Sequence, residues 1–322
     1  MDRRASLAHP GGMITRPHIE EAARRIAPHI RHTPVLQLPV QALGTPCDVV
    51  LKLEQMQVSG SFKARGAFNA LLQSRAGEAG VIAASGGNHG AAVAHAAGAL
   101  GIRAEIYVPA ISAPSKVARI REAGAVVVQG GATYAEAFAA SEARRAETGA
   151  VSVHAYDQEE VLAGQGTVGR EFEADSPGLT HLLVAVGGGG LIGGISAWFA
   201  GTAMRVVAVE PEGCPTLHDA LRAGGPVDAP VGGLAADSLG ARRVGSLMYP
   251  IARDVIRDAV LVPDAAIREA QQRLWTACRA VAEPGGATAL AALLSGAWVP
   301  PEGARVGVLV CGGNCDPGSV VG

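Results

Sequence analysis

Leu182-Leu183-Val184-Ala185-Val186-Gly187-Gly188-Gly189-Gly190-Leu191-Ile192-Gly193-Gly194-Ile195-Ser196-Ala197-Trp198-Phe199 decides how the rest of the chain is read. From Leu182 to Met204, 23 residues pass without a charge, which is long enough to span a bilayer as a helix. A single helix would have to run through Gly187 to Gly190, with Gly193 and Gly194 close behind, at a cost of roughly 1 kcal/mol per glycine relative to alanine. A buried strand, a glycine turn and a buried helix fit the same residues without that cost. The stretch therefore predicts one β-α unit of a water-soluble α/β protein.

The same unit recurs on both sides. Upstream, strands are predicted at Val81–Ala84, Ala104–Val108, Ala125–Val128 and Val151–His154, separated by helices at Ala91–Leu100, Ser115–Glu122 and Tyr134–Glu147. Downstream come a strand at Val206–Val209, a helix at Asp264–Val281 and a strand at Val306–Val310. Ahead of all these lie a helix from Ile19 to Ile30 with Pro17 near its start, a strand at Val49–Leu53 and a helix from Phe68 to Leu72. Alternation of this kind implies parallel sheets flanked by helices, joined by right-handed crossovers. With 322 residues, two α/β lobes are expected, and ligands should sit where loops leave the carboxyl ends of strands.

Composition removes several function classes. A formal net charge of -2 provides no basic field for nucleic acid and no polybasic face for an anionic membrane. The five cysteines, Cys47, Cys214, Cys278, Cys311 and Cys315, are odd in number and lack a C-x-x-C pair, which reads as reduced thiols. Met1-Asp2-Arg3-Arg4 is charged, but no apolar run follows it, so a cytoplasmic protein is expected. The first dozen residues read as a loose tail, with Met13 as an alternative start.

Basic residues are written almost entirely as arginine; only Lys52, Lys63 and Lys116 are lysines. Lys63 lies in Ser59-Gly60-Ser61-Phe62-Lys63-Ala64-Arg65-Gly66-Ala67. A guanidinium stays protonated, whereas a desolvated amine can lose its proton and form a Schiff base. A few lysines left by chance is the plainer alternative. Four glycine-rich loops each follow a predicted element. Ser85-Gly86-Gly87-Asn88-His89-Gly90 serves equally as an ordinary turn or as a carboxylate seat at a helix start. Gly187 to Gly190 over-supply a turn and suit a nest of N–H groups around a phosphate. Glu283-Pro284-Gly285-Gly286-Ala287 and Cys311-Gly312-Gly313-Asn314 say little alone. A dinucleotide fingerprint and a nucleotide P-loop both lack their spacing here.

A reactive lysine needs an aldehyde and a glycine nest needs a phosphate; pyridoxal 5′-phosphate carries both. On these five segments, in this order, the chain resembles the fold-type II pyridoxal-phosphate enzymes, in the serine/threonine dehydratase and serine racemase group. The resemblance runs from about Ile19 onward. It implies a two-lobed, tryptophan synthase beta-like fold, with residues 1–75 and 153–322 as the large cofactor-binding domain. Residues 76–152 would form a small, mobile domain carrying the substrate loop. It also implies roles. Lys63 would hold the cofactor and serve as catalytic base. Phe62 would lie beside the ring, and Asn88 would bond the ring hydroxyl. Gly187, Gly188, Gly189, Gly190 and Leu191 would hold the phosphate, with Glu283 and Cys311 completing the cofactor site and Cys311 facing the ring nitrogen. Ser85, Gly86, Gly87, Asn88 and His89 would grip the substrate carboxylate.

The implied activity is that of an L-threonine/L-serine ammonia-lyase, giving 2-oxobutanoate or pyruvate plus ammonia. Another β-hydroxy amino acid (hydroxyaspartate, phenylserine), or racemisation of serine, is the same-scaffold alternative, and a non-catalytic cofactor- or amino-acid-binding protein is the alternative from another class. A homodimer with no membrane or nucleic-acid partner is expected. Three residues depart from the group's pattern. Gly86 stands where racemases carry a serine acid, which disfavours racemisation. Cys311 stands where serine or threonine is usual, and a thiol is a weak donor. A cation site would use Glu210 and the carbonyl near Cys214, but its aspartate position is Thr216. The chain also ends eleven residues after Cys311, so no C-terminal regulatory domain is expected.

Overall fold

The computed structural model describes residues 14–321. The expected tail, the alternative start at Met13 and the leader question at Met1 to Arg4 lie outside the described residues. Ten strands form two sheets. The larger has the order β1 (Val35–Leu38), β2 (Val49–Leu53), β10 (Val306–Val310), β7 (His181–Ala185), β8 (Arg205–Pro211), β9 (Asp258–Val262). The smaller has the order β5 (Val126–Gln129), β4 (Ala104–Val108), β3 (Val81–Ala84), β6 (Val151–Ser152).

Every pairing is parallel except β1 with β2, where Leu36 faces Leu51 in an antiparallel register. The expected parallel sheets are present, with one antiparallel pairing added at that edge. The ten residues from Pro39 to Asp48 hold a single short helix, Val40–Leu43, and so reverse the chain rather than cross over the sheet. Several expected boundaries also move; the first helix, expected at Ile19–Ile30, runs from Arg16 to Ile26. The strand from Val151 stops at Ser152, and the helix carrying Lys63 begins at that residue and runs to Gln73.

The opening stretch of sequence folds as read: β7, a turn through Gly187–Gly189, then the helix Gly190–Phe199, buried along its whole length. The central strands β3, β4 and β10 are buried and, apart from Glu105 in β4, free of charge, as parallel strands covered on two faces must be. One core gathers around the large sheet, from Leu51, Leu183, Val207, Ile192 and Leu290. A second gathers around the small sheet, from Val81, Ile106, Val93 and Ile120, and it takes in Ala64, Ala67 and Phe68 from the Lys63 helix. That helix thus lies at the junction of the two cores. No helix among the described residues is long and apolar enough to cross a membrane.

Candidate active site

The carboxyl ends of β2, β7 and β10 converge. Beyond β2 the chain passes through a short turn at Glu54–Met56 and reaches Lys63; beyond β7 come the four glycines; beyond β10 comes Cys311. Between them lies a cavity of about 480 Å³, lined by Phe62, Lys63, Asn88, Tyr156, Ala185, Gly187 to Ile192, Ser238, Leu239, Glu283, Gly285 and Cys311. The structure therefore brings together every residue assigned to the cofactor by resemblance.

Lys63 sits at the first turn of its helix, and its Nζ donates to the carbonyl oxygen of Ala155 at 2.6 Å. Burial lowers its pKa to about 8, while Cys311 and Glu283 pull the other way. The glycine loop is glycine for a visible reason. A Cβ on Gly188 would lie 2.3 Å from the Tyr156 ring, and Gly189 has φ 87°, where other residues are strained. The loop opens the Gly190–Phe199 helix, so its free N–H groups and the helix dipole favour an anion.

Glu283 is buried; its Oε1 accepts from Asn88 Nδ2 at 2.5 Å, and burial raises its carboxyl to about 7. Burial and the neighbouring Glu283 push the Cys311 thiol far above its ordinary range, so it keeps its proton; Sγ donates to the Gly285 carbonyl at 3.4 Å. Ser238 Oγ accepts from the Gly285 N–H at 3.1 Å and fixes the turn on which Glu283 rests.

The expected substrate loop divides. Gly86, Gly87 and Asn88 line a smaller recess of about 310 Å³ beside the main cavity, together with Lys116, Arg119, Asp237 and Asn314. Ser85 turns inward, its Oγ accepting from the Gly87 N–H at 3.2 Å. His89 is buried away from both cavities; burial, then the nearby Lys63, hold its ring neutral with a pKa of about 3, and its Nε2 bonds the Val153 carbonyl at 2.8 Å. What His89 can offer a ligand is its backbone N–H at the start of the helix Asn88–Ala99, not its imidazole.

Glu210, expected as a cation ligand, caps the helix Thr216–Ala223. Its carboxylate accepts from the N–H of Leu217 and of His218, each at 2.7 Å, and from Thr216 Oγ1 at 3.0 Å. Thr216 passes a hydroxyl into this network where a cation would need a second carboxylate. Among the described residues one cluster has metal-ligand types at suitable spacing: His32, Glu171 and Asp175. There Lys52 Nζ, at 2.7 Å from Glu171 and 2.8 Å from Asp175, already supplies the positive charge.

Sequence reasoning missed Tyr156, Ser238, Lys116 and Asp237. Lys116 and Asp237 form an ion pair between the helix Pro114–Glu122 and the segment Ala236–Leu239, across the mouth of the recess. Nothing local marks either partner, because the pair joins residues far apart in sequence. Tyr156 also carries no local signal, and its role as wall over the glycine loop comes from tertiary packing alone.

Comparison with known proteins agrees with this geometry. The family model described as pyridoxal-phosphate dependent enzyme matches residues 26–312. An L-threonine ammonia-lyase of Geobacter sulfurreducens is 37% identical over 305 residues, covering 92% of this chain and 75% of its own. A phenylserine dehydratase of Ralstonia pickettii is also 37% identical, covering 91% of this chain and 90% of its own. Among solved structures, maize serine racemase superposes with a TM-score of 0.90 at 33% identity, covering 96% of each chain.

Proposed function

The chain belongs to the pyridoxal-phosphate-dependent enzymes, and from that membership we propose that it is an ammonia-lyase of L-threonine and L-serine. The products are 2-oxobutanoate or pyruvate, and ammonia. The observation that carries this reading is the buried Lys63 amine in one cavity with a glycine cradle that no side chain could replace. The cavity fits the cofactor: an amine for its aldehyde, a helix-start nest for its phosphate, and the amide of Asn88 for its ring hydroxyl. Bound there, the cofactor supplies an aldehyde that captures the substrate amine and a ring that draws electron density from Cα.

The residues supply the rest. Because burial brings Lys63 to about 8, an appreciable share of its amine is unprotonated near neutral pH and can take the Cα proton. Cys311, already donating to Gly285, offers the ring nitrogen a neutral sulfur and no acid. The N–H groups of Asn88 and His89 open a helix and suit the substrate carboxylate. Gly86 has no hydroxyl to act as a second acid, which favours elimination over racemisation. Residues 76–152, which carry β3 to β6, are the lobe we expect to close over the substrate and exclude water. A cytoplasmic homodimer is the proposed setting; five cysteines without a disulfide agree with a reducing compartment.

The test is 2-oxo acid release from protein loaded with pyridoxal phosphate and given L-threonine, L-serine or phenylserine, with Lys63→Ala alongside. Product from threonine or serine that disappears in Lys63→Ala supports the reading. Turnover confined to phenylserine would transfer the assignment to the second relative's substrate. A wild-type protein that never develops the visible band of lysine-bound cofactor would end it.

A further inference from the structure

Asn314 closes the loop after β10, and its side chain joins three separate pieces of chain. Its Nδ2 donates to the Ser59 carbonyl at 2.9 Å and to Asn88 Oδ1 at 2.7 Å. The backbone beside it is stitched to the segment leading into Lys63. Gly313 N–H donates to the Gly60 carbonyl at 3.0 Å, Phe62 N–H donates to the Cys311 carbonyl at 3.1 Å, and Ser61 bridges Gly312. Gly60 has φ 78°, and a Cβ there would stand 2.2 Å from Asn314 Oδ1. The turn that delivers Lys63 is thus shaped around the Asn314 amide.

Hydrogen counting then orients Asn88. An amide nitrogen has two hydrogens, and Ser59 and Asn88 take both of those on Asn314. Asn88 must therefore present its oxygen to Asn314 and its nitrogen elsewhere. One hydrogen of that nitrogen goes to Glu283 Oε1, at 2.5 Å, and the other stays uncommitted on a residue that lines the cavity.

We propose that Asn314 is a positioning residue for the reaction: it sets the Asn88 amide so that an N–H, not a carbonyl, meets the cofactor's ring oxygen. It couples that orientation to the turn carrying Lys63. The proposal rests on the pyridoxal-phosphate reading above. An acceptor at position 314 would face two acceptors, Ser59 O and Asn88 Oδ1, and would turn the Asn88 amide over. The cavity would then present oxygen to oxygen.

The test uses Asn314→Asp, which removes both donors at nearly constant shape, and Asn314→Ser, which keeps one hydroxyl donor and carries the test if the first variant fails to fold. Both are made in wild-type and Asn88→Ala backgrounds. Cofactor dissociation constant, the visible absorption band, kcat and KM are read separately from thermal stability. In the wild-type background, Asn314→Asp should weaken cofactor binding about tenfold or more, shift the band, and lower kcat more than it raises KM. In the Asn88→Ala background those effects should shrink to a small remainder from the lost bond to Ser59, because the residue acts mainly through Asn88. Equal effects in both backgrounds, or a normal band and affinity with only a lowered melting temperature, would overturn the proposal. A wild-type protein without the band would overturn the pyridoxal-phosphate reading and this inference with it.

Discussion

The Nζ of Lys63 and the carbonyl oxygen of Ala155 are joined by a hydrogen bond of 2.6 Å. Ala155 lies three residues past Ser152, the end of β6 in the small sheet, whereas Lys63 is reached from β2 in the large one. The reactive amine is therefore held by the connection that leads out of the small sheet and back into the large lobe.

Burial sets the pH at which that amine can react. An ordinary lysine at 10.5 would be almost wholly charged at neutrality, but Lys63 is brought to about 8. The rate at which apoprotein takes up pyridoxal phosphate should rise about tenfold per pH unit below 8 and flatten above it. Stopped-flow absorption of the developing band reads this directly. A rate still climbing at pH 10 would mean the amine is not desolvated. Lys63→Ala should cut 2-oxo acid formation by at least about a thousandfold.

The glycine cradle makes a second expectation. Gly188→Ala drives a methyl into the Tyr156 ring, so cofactor affinity should fall about tenfold or more, with fold and melting temperature less affected. Tyr156→Ala in the same protein should restore part of the loss by giving the methyl room. Equilibrium dialysis of the cofactor against the two single variants and the double variant separates these effects.

Behind Lys63, Arg65 is fully buried between Glu54 and Glu171, at 2.7 and 3.0 Å. Removing it by Arg65→Met strands the buried Glu54 carboxylate, leaves Glu171 to Lys52 alone and should cost about 3–5 kcal/mol, read from denaturant unfolding.

The same network sets acid stability. Burial alone would raise the Glu171 carboxyl, but Arg65 and Lys52 hold it at about 2, below the ordinary 4.5. A depressed carboxyl stabilises the fold fully above pH 4.5, and that stabilisation, on the order of 3 kcal/mol, is lost as pH falls toward 2. In Arg65→Met the acid transition should move to higher pH. Tryptophan fluorescence along an acid titration measures it.

Position 86 tests the balance between elimination and racemisation. A Cβ on Gly86 would meet Ser112 Oγ at 3.0 Å, the far end of a side chain that can turn away. Gly86→Ser should fold and should gain D-serine formation from L-serine, detected by chiral chromatography. Failure to gain it in a folded, cofactor-loaded variant would remove Gly86 as the cause of poor racemisation.

The strands that form the floor of the site were readable because burial on both faces leaves continuous apolar runs, as in residues 182–185 and Val306–Val310. The helix Glu159–Asp175 was not readable. Gly164, Gly166 and Gly169 interrupt it to let other helices approach, and its buried face includes Gln165, Thr167 and Glu171 in place of an apolar stripe. Pro284–Leu294 was seen only as a glycine loop, although its proline marks the first turn of a helix. The site's chemistry was legible where a residue type is needed for its atoms, as at Lys63 and Gly187 to Gly190. It was hidden where a common residue acts through a distant neighbour, as Tyr156 and Asp237 do.

β10 lies between β2 and β7, so the middle of the large sheet is filled by a segment synthesised long after β2. Its loop also supplies Cys311 and Asn314, and the Phe62 N–H is bonded to the Cys311 carbonyl. A growing chain that has exposed Lys63 but not yet Val306 lacks the wall against which that lysine is set. Bringing Val49 beside Val306 closes a loop of about 250 residues, a slow and entropically costly event. Completion of the site therefore waits for β10, and a chain that lacks it exposes an unpaired sheet interior.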